Sequence, residues 1–256
     1  MKAATRKPEA YPAQSNVEAA AFEFDDSETY APALEGVDRV FLLAKNADPE
    51  PQKTLIPFID QARAAGVKHI VLMTAIGVDQ VEDLGLRKVE KHLMASGIDY
   101  TILRPNWFMQ NFSRGFILPG IKENGAFYLP ADDAKTSFID TRDISAVAAE
   151  ALSGNGHKGQ EYALTGGQAL NYGETAAIIF KESGREVKYV AISDDDMRET
   201  MKSAGWQSEQ VEFMVGLFYT VRQGWTAPIS PAVSSVLGRD PISFEQFARE
   251  NATAWK

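Results

Sequence analysis

The sequence predicts an α/β fold, a doubly wound parallel sheet with a smaller C-terminal α/β lobe, and three observations predict it. Strand-like apolar runs at Val40-Phe41-Leu42-Leu43, Ile70-Val71-Leu72-Met73 and Thr101-Ile102-Leu103 recur 30 and 31 residues apart. The intervals between them carry helical periodicity, Leu55/Phe58/Ile59/Ala62 ending at Gly66 and Leu86/Val89/Leu93 ending at Gly97, so strand and helix alternate as in βαβ units. The runs are also continuously apolar rather than alternating, which is the pattern of strands buried on both faces.

Upstream, residues 2–5 read as an opening strand fragment and residues 17–22 as a weaker strand. Asp26 and Glu28 mark the start of a helix that runs to Leu34 and closes at Gly36, because acidic side chains suit the free amides of a first turn. Downstream, residues 135–139 read as a strand, and Asp143 as the cap of a helix with the inward face Ile144/Val147/Ala148/Ala151/Leu152. The rhythm changes from about Gln160: strand 161–165, helix 172–183, strand 186–192, a helix capped by Ser193, the aromatic stretch 213–225 and a last helix near 244–253. The expected division is a core at 1–159 and a lobe at 160–256, partly interleaved with the core.

The length of 256 residues is enough for a large core, and 45% hydrophobic with 24% charged residues is ordinary for a globular chain. The 35 acidic residues outnumber 26 basic ones for a net charge of −9 with no clustered basic face, which argues against a nucleic-acid partner. The absence of cysteine removes disulfides, thiolate catalysis and zinc–thiolate sites. No apolar run reaches the length of a membrane span, and the polar start is no secretory signal, so a cytoplasmic protein is expected.

Some motifs carry little weight. Gly154-Asn155-Gly156-His157-Lys158-Gly159 spells G-x-G-x-x-G, but it follows a helix and precedes a strand, the reverse of the order a pyrophosphate cradle needs. His69, His92 and His157 show no metal spacing, and Asp194-Asp195-Asp196 after Ser193 reads as a first helical turn rather than a metal cluster. No G-x-S-x-G elbow is present for acyl transfer.

The informative stretch runs from Gly97 through Thr101-Ile102-Leu103-Arg104-Pro105-Asn106-Trp107-Phe108 to Asn111, a buried strand whose carboxyl end opens into an aromatic loop, the place where such sheets bind ligands. With Gly36-Val37-Asp38-Arg39-Val40-Phe41-Leu42-Leu43-Ala44, Ala64-Ala65-Gly66-Val67-Lys68-His69-Ile70-Val71 and Phe138-Ile139-Asp140-Thr141-Arg142-Asp143-Ile144, it resembles the NmrA-like branch of the atypical short-chain dehydrogenases. That family has a Rossmann-like core and includes NAD(P)H-dependent quinone, azo-dye and triphenylmethane-dye reductases. Its members begin with a strand and a glycine-rich turn that cradles the pyrophosphate; here the sequence starts at what looks like their second strand. Two buried sheet edges with unpaired backbone groups are therefore expected, from a start lost upstream of Met1 or a degenerate member that fills the gap otherwise.

The resemblance implies a cofactor site residue by residue, with NADPH preferred over NADH. Arg6 stands where NADP-preferring relatives place a base against the 2′-phosphate, with Lys7 beside it; the same charges also suit a solvated terminus. Asp25 matches the adenine edge, Leu43, Ala44 and Lys45 the ribose, Thr74 and Ala75 the end of the next strand, and Pro105 and Asn106 the loop bordering the nicotinamide. Each of these also suits simple strand-end packing. Trp107, Phe108, Phe127, Phe138 and Trp206 form a candidate stacking wall for an aromatic or quinone-like acceptor, or else core. Where relatives carry Lys or His four residues before a helical Glu, here Glu90, this sequence has Leu86, and the Tyr-x-x-x-Lys pair of ordinary short-chain dehydrogenases is missing. Without that proton donor, acceptors that take hydride first fit better than ketones. The expected function is an NAD(P)H-dependent reductase of electron-poor acceptors, a monomer or homodimer; the alternatives are a non-catalytic NADP-sensing regulator and a chain that binds no dinucleotide.

Overall fold

The computed structural model describes residues 1–45 and 48–256. Four parallel-type strands stand in the order β3 (Arg39–Leu43), β4 (His69–Met73), β5 (Asp99–Pro105) and β8 (Gln160–Leu164), and β1 (Lys2–Thr5) pairs in parallel with β2 (Glu18–Ala21) as a separate sheet. The register sets Val40 beside Ile70 and Ile70 beside Tyr100, with Leu42, Leu72 and Ile102 in one row. All three of that row are buried, but the burial on both faces expected of the apolar runs holds for β4 and not for β3, an edge strand whose Phe41 and Leu43 are 38% and 41% exposed. The helices α2 (Gln52–Ala64) and α3 (Gly85–Ala95) fall in the expected intervals. Gly66 and Gly97, just beyond them, adopt φ +83°, a left-handed conformation that glycine reaches without a steric penalty.

The chain divides into two compact units. The first comprises Met1–Thr74, Val78–Leu103 and Ala151–Tyr162; the second comprises Ala75–Gly77, Arg104–Glu150 and Ala163–Lys256. In the first, Leu55, Phe58, Ile59 and Ala62 of α2 and Val89 and Leu93 of α3 pack with Leu42, Ile70 and Leu72 of the strands and with Tyr30 and Leu34 of the short helix α1 (Tyr30–Leu34). Phe22, Phe24, Tyr30 and Phe58 meet edge-on or stacked, with ring centroids 4.8 to 6.4 Å apart.

The second unit holds the larger aromatic core, in which Phe112, Phe127, Phe138, Tyr172, Phe218, Phe244, Phe247 and Trp255 are buried together. Its elements include α4 (Leu118–Asn124), β6 (Ala126–Leu129), β7 (Lys135–Thr136), β9 (Leu170–Asn171), α6 (Tyr172–Ser183), β10 (Lys188–Ala191), α7 (Asp194–Ser203), α8 (Ser208–Arg222), α9 (Ala232–Leu237) and α10 (Phe244–Glu250). Helix α7 is capped by Ser193, with Asp196 reaching back to close a capping box, so the acidic run is a helix start. The glycine run 154–159 is the loop between α5 (Thr141–Ser153) and β8.

Two local readings are corrected. The strand expected at 135–139 ends at Thr136, because the next amides are taken elsewhere: Ser137 N–H donates to Thr226 O at 2.9 Å and Ile139 N–H to Trp107 O at 2.9 Å. The cap of α5 is Asp140 rather than Asp143. The Asp140 carboxylate accepts from Arg142 N–H at 2.8 Å and pairs with the Arg142 guanidinium, whereas Asp143 lies inside the first turn and accepts from Ile242 N–H at 2.8 Å.

In the first unit, buried His69 at the start of β4 shares a hydrogen bond of 2.9 Å with the Thr101 hydroxyl, which itself donates to His157 O at 2.6 Å. Burial pushes the His69 imidazole below its ordinary pKa, and Arg39 acts in the same direction against an opposing pull from Asp99. The unfolded chain therefore takes up the proton first, so stability is held above about pH 6.5 and lost as the pH falls below it. Denaturation midpoints at pH 8 and pH 5.5 should fall further for the native chain than for His69→Gln; equal slopes would separate His69 from the acid sensitivity.

Candidate functional site

The carboxyl ends of parallel strands are where loops leave the sheet and backbone groups lack partners, so ligands collect there. In the first unit, Arg6 and Lys7 follow β1, Asp25 follows β2, Leu43 ends β3 with Ala44 and Lys45 just beyond it, and Thr74 follows β4. The Arg6 side chain is 80% exposed and its nearest acid, Glu23, stands at the 4.0 Å limit of an ion pair, so the guanidinium is held loosely. Lys45 and Asp25, expected at separate points of a cofactor, hold each other, with Nζ donating to both carboxylate oxygens at 2.7 and 2.9 Å. That hydrogen bond raises the Lys45 pKa above its usual value.

Beneath the end of β4 lies a feature that the sequence reading missed. The Thr74 hydroxyl donates to Glu90 Oε1 at 2.8 Å, and the other oxygen of this fully buried carboxylate takes Arg87 Nη1 at 2.9 Å; Arg87 also reaches Glu82, which Lys91 pairs at 2.6 Å. Leu86, the position matched to the family's polar residue, packs against the apolar core instead. The signal was present: Glu90 adjoins Val89 inside the apolar arc of α3, and a buried carboxylate there requires a cation one turn away, which is Arg87 at i−3.

In the second unit, Asn106 is buried with its side-chain amide and its backbone N–H engaged. Its amide donates to Ser137 Oγ at 2.8 Å and Thr226 O at 2.7 Å, its Oδ1 accepts from Trp107 N–H at 2.9 Å, and its own N–H donates to Leu164 O at 2.9 Å. It fixes the direction of the loop that follows β5. Pro105 O accepts from Ile76 N–H at 3.0 Å, one residue beyond Ala75. Trp107 and Phe108 are half-buried, Trp107 lying 5.0 Å from the Phe218 ring. Phe127 and Phe138 are packed inside the aromatic core, each against Phe112 and Tyr172, while Trp206 is 38% exposed. Of the five expected aromatics, Trp107, Phe108 and Trp206 thus present surface.

A dinucleotide makes three demands: cations for a 2′-phosphate, backbone amides at a helix N-terminus for the pyrophosphate, and a flat lining for the nicotinamide. The residues present fit the first through Arg6 and Lys7 and the third through the loop after β5. They do not fit the second. Among the described residues, no strand runs through a glycine turn directly into a helix: β1 leads to Pro8, α2 begins behind Pro51 and α3 behind Leu84.

A doubly wound parallel sheet with its loops gathered at the carboxyl edge is the architecture of the dinucleotide-binding α/β proteins. The chain belongs to the family described as NAD(P)H-binding, which matches residues 1–154. Over 93% of its length it is 35% identical to the NAD(P)H azoreductase of Xenophilus azovorans, of which it covers 84%. The NADPH-dependent quinone oxidoreductase of Escherichia coli, solved in complex with NADPH, has a TM-score of 0.80 at 27% identity, with 91% of this chain and 83% of that one covered. Nmra, a negative transcriptional regulator solved in complex with NAD, shares the fold at 14% identity, with a TM-score of 0.70 over 92% of this chain and 80% of its own.

The Thr74–Glu90–Arg87 arrangement makes a stability prediction. Glu90→Leu leaves the largely buried Arg87 with only the exposed Glu82 and the Thr74 hydroxyl without its acceptor, and should cost up to about 3–5 kcal/mol, whereas Arg87→Met with Glu90→Leu should recover most of it, since replacing both charges removes the half-paired ion. Urea midpoints of the two variants decide this, and a double variant as unstable as the single one would refute it.

Proposed function

We propose that the protein is an NAD(P)H-dependent oxidoreductase that passes hydride to an electron-poor acceptor such as a quinone or an azo dye, with NADPH preferred. What supports this reading is that the chain's relatives include an azoreductase and a quinone oxidoreductase; Leu86, half-buried against the core where a proton donor would otherwise stand, narrows the acceptor class. A ketone needs a proton delivered to its developing alkoxide, while quinones and azo bonds take hydride first and a proton from water afterwards, so positioning suffices. Arg6 and Lys7 give the NADPH preference, because a guanidinium fork suits a phosphate and finds no anion in the 2′-hydroxyl of NADH. Trp107 and Phe108, set in place by Asn106, give the acceptor a flat surface.

The apolar Leu86 at the donor position also suits a second reading, a protein that senses NADP without catalysis. NADPH oxidation with a simple quinone, an azo dye and an aliphatic ketone separates the two. Quinone or azo turnover above the ketone rate supports the reductase; NADPH binding with no turnover of any acceptor supports the sensor.

Arg6→Ala should weaken NADPH binding about tenfold or more while sparing NADH, since a charge-assisted contact is worth roughly 1.5–3 kcal/mol. Fluorescence titrations with both cofactors check this, and unchanged curves would remove Arg6 from the site. Trp107→Ala and Phe108→Ala should lower acceptor turnover more than the thermal midpoint; the opposite balance would place both residues in the core.

A further inference from the structure

The run Gly154-Asn155-Gly156-His157-Lys158-Gly159 forms the loop between α5 and β8 and belongs to the first unit. Its second half is tied down. His157 O accepts from the Thr101 hydroxyl at 2.6 Å, Gly159 N–H donates to Tyr100 O at 2.6 Å, and Lys158 Nζ pairs with Asp99 at 2.6 Å. Its first half is different: Asn155 and Gly156 are exposed, Gly156 stands at φ +98° with open space where a Cβ would lie, and among the described residues no hydrogen bond holds the Asn155 side chain or the Gly156 N–H. The chain carries a second Asn–Gly pair, and that one is held. Asn124 lies in the last turn of α4, Gly125 N–H donates to Ile121 O at 3.1 Å, Gly125 O accepts from Lys188 N–H at 2.9 Å, and Glu186 O closes on the space beside Gly125.

We propose that Asn155–Gly156 is a modification site at which the folded chain rewrites its own backbone, the Asn155 side chain cyclising onto the Gly156 nitrogen and reopening as isoaspartate. The Gly156 nitrogen, losing its proton, attacks Asn155 Cγ; the new C–N bond forms, the Cγ–Nδ2 bond breaks, and ammonia leaves. The cyclic imide then takes up water. Opening at the Asn155 main-chain carbonyl sends the backbone through Cγ as isoaspartate, and opening at Cγ leaves an ordinary aspartate, so the balance is one water consumed and one ammonia released. The attack requires a following residue without a Cβ to obstruct the approach, a backbone free to bring Cγ to that nitrogen, and access for water, all of which this loop supplies. At Asn124 the helical turn and the bonded Gly125 N–H withhold the second of these. The product is one unit more negative than the native −9. Isoaspartate also lengthens the main chain by one carbon between the end of α5 at Ser153 and His157, where the chain is fastened to β5, so the anchors at His157, Lys158 and Gly159 keep the change out of the sheet. The site stands independently of the reductase reading.

The test incubates the folded protein in oxygen-18 water at pH 8, beside the same protein unfolded in urea, and follows both Asn–Gly peptides by mass spectrometry. Methyl transfer by an isoaspartyl methyltransferase gives a second readout. In the folded protein Asn155 should convert about tenfold or more faster than Asn124, the ratio that one hydrogen bond and an undone helical turn supply, whereas the unfolded chain should convert both at similar rates. Asn155→Gln should remove most of the methyl acceptance, because glutamine must close a larger ring, and should leave the thermal midpoint in place, because the side chain is exposed. Asn155 unchanged in the folded protein while the unfolded chain reacts, or Asn124 as fast as Asn155 in the folded protein, overturns the site. Methyl acceptance undiminished by Asn155→Gln overturns it too.

Discussion

Backbone hydrogen bonding between parallel strands is the constraint on which the rest of this molecule depends. A strand buried on both faces cannot turn its amides and carbonyls to water, so each needs a partner of the right spacing and direction. The ladder β3–β4–β5 meets that need and fixes the register that puts Leu42, Leu72 and Ile102 in one buried row. The positions of Lys45 and Thr74 follow, since both leave the sheet where these strands end. Beside β3, where the ladder stops, lies a cavity that Lys2, Ala3 and Ala4 of β1 also line.

The polar groups at the strand ends and loops hold one another. Lys45 occupies Asp25, Glu90 collects Thr74 and Arg87, and Asn106 spends its side chain on Ser137, Thr226 and the next backbone amide. Such closed networks rigidify the backbone from which the loops spring, and they answer the cost of burying a polar group away from water. Arg6 is different. Long, exposed and weakly tethered, it keeps its charge available to an incoming anion.

Much of this order is legible in the sequence because it rests on local rules. Apolar runs at 40, 70 and 101 and the glycines at 66 and 97 announce strand and helix ends through periodicity and backbone freedom alone, and Ser193 with Asp196 announces a capping box. What is not legible depends on partners distant in sequence. The strand at 135 is cut short by a carbonyl at Thr226, some ninety residues away, and the choice between Asp140 and Asp143 as the cap turns on whether Ile242 claims one of them. The aromatics show the same limit: spacing cannot distinguish Phe127 and Phe138, sealed in a cluster around Phe112, from Trp107 and Phe108, which keep a free surface.

The open flank of β3 has a consequence for the behaviour of the chain at high concentration. A strand edge without a strand partner among the described residues, bordered by exposed Phe41 and Leu43, is what soluble sheet proteins normally avoid through charge, proline, a bulge or a covering helix, because it templates pairing with any extended neighbour. Here no proline or charge interrupts the run from Val40 to Leu43. An edge of that kind is receptive to misassembly with a second extended chain.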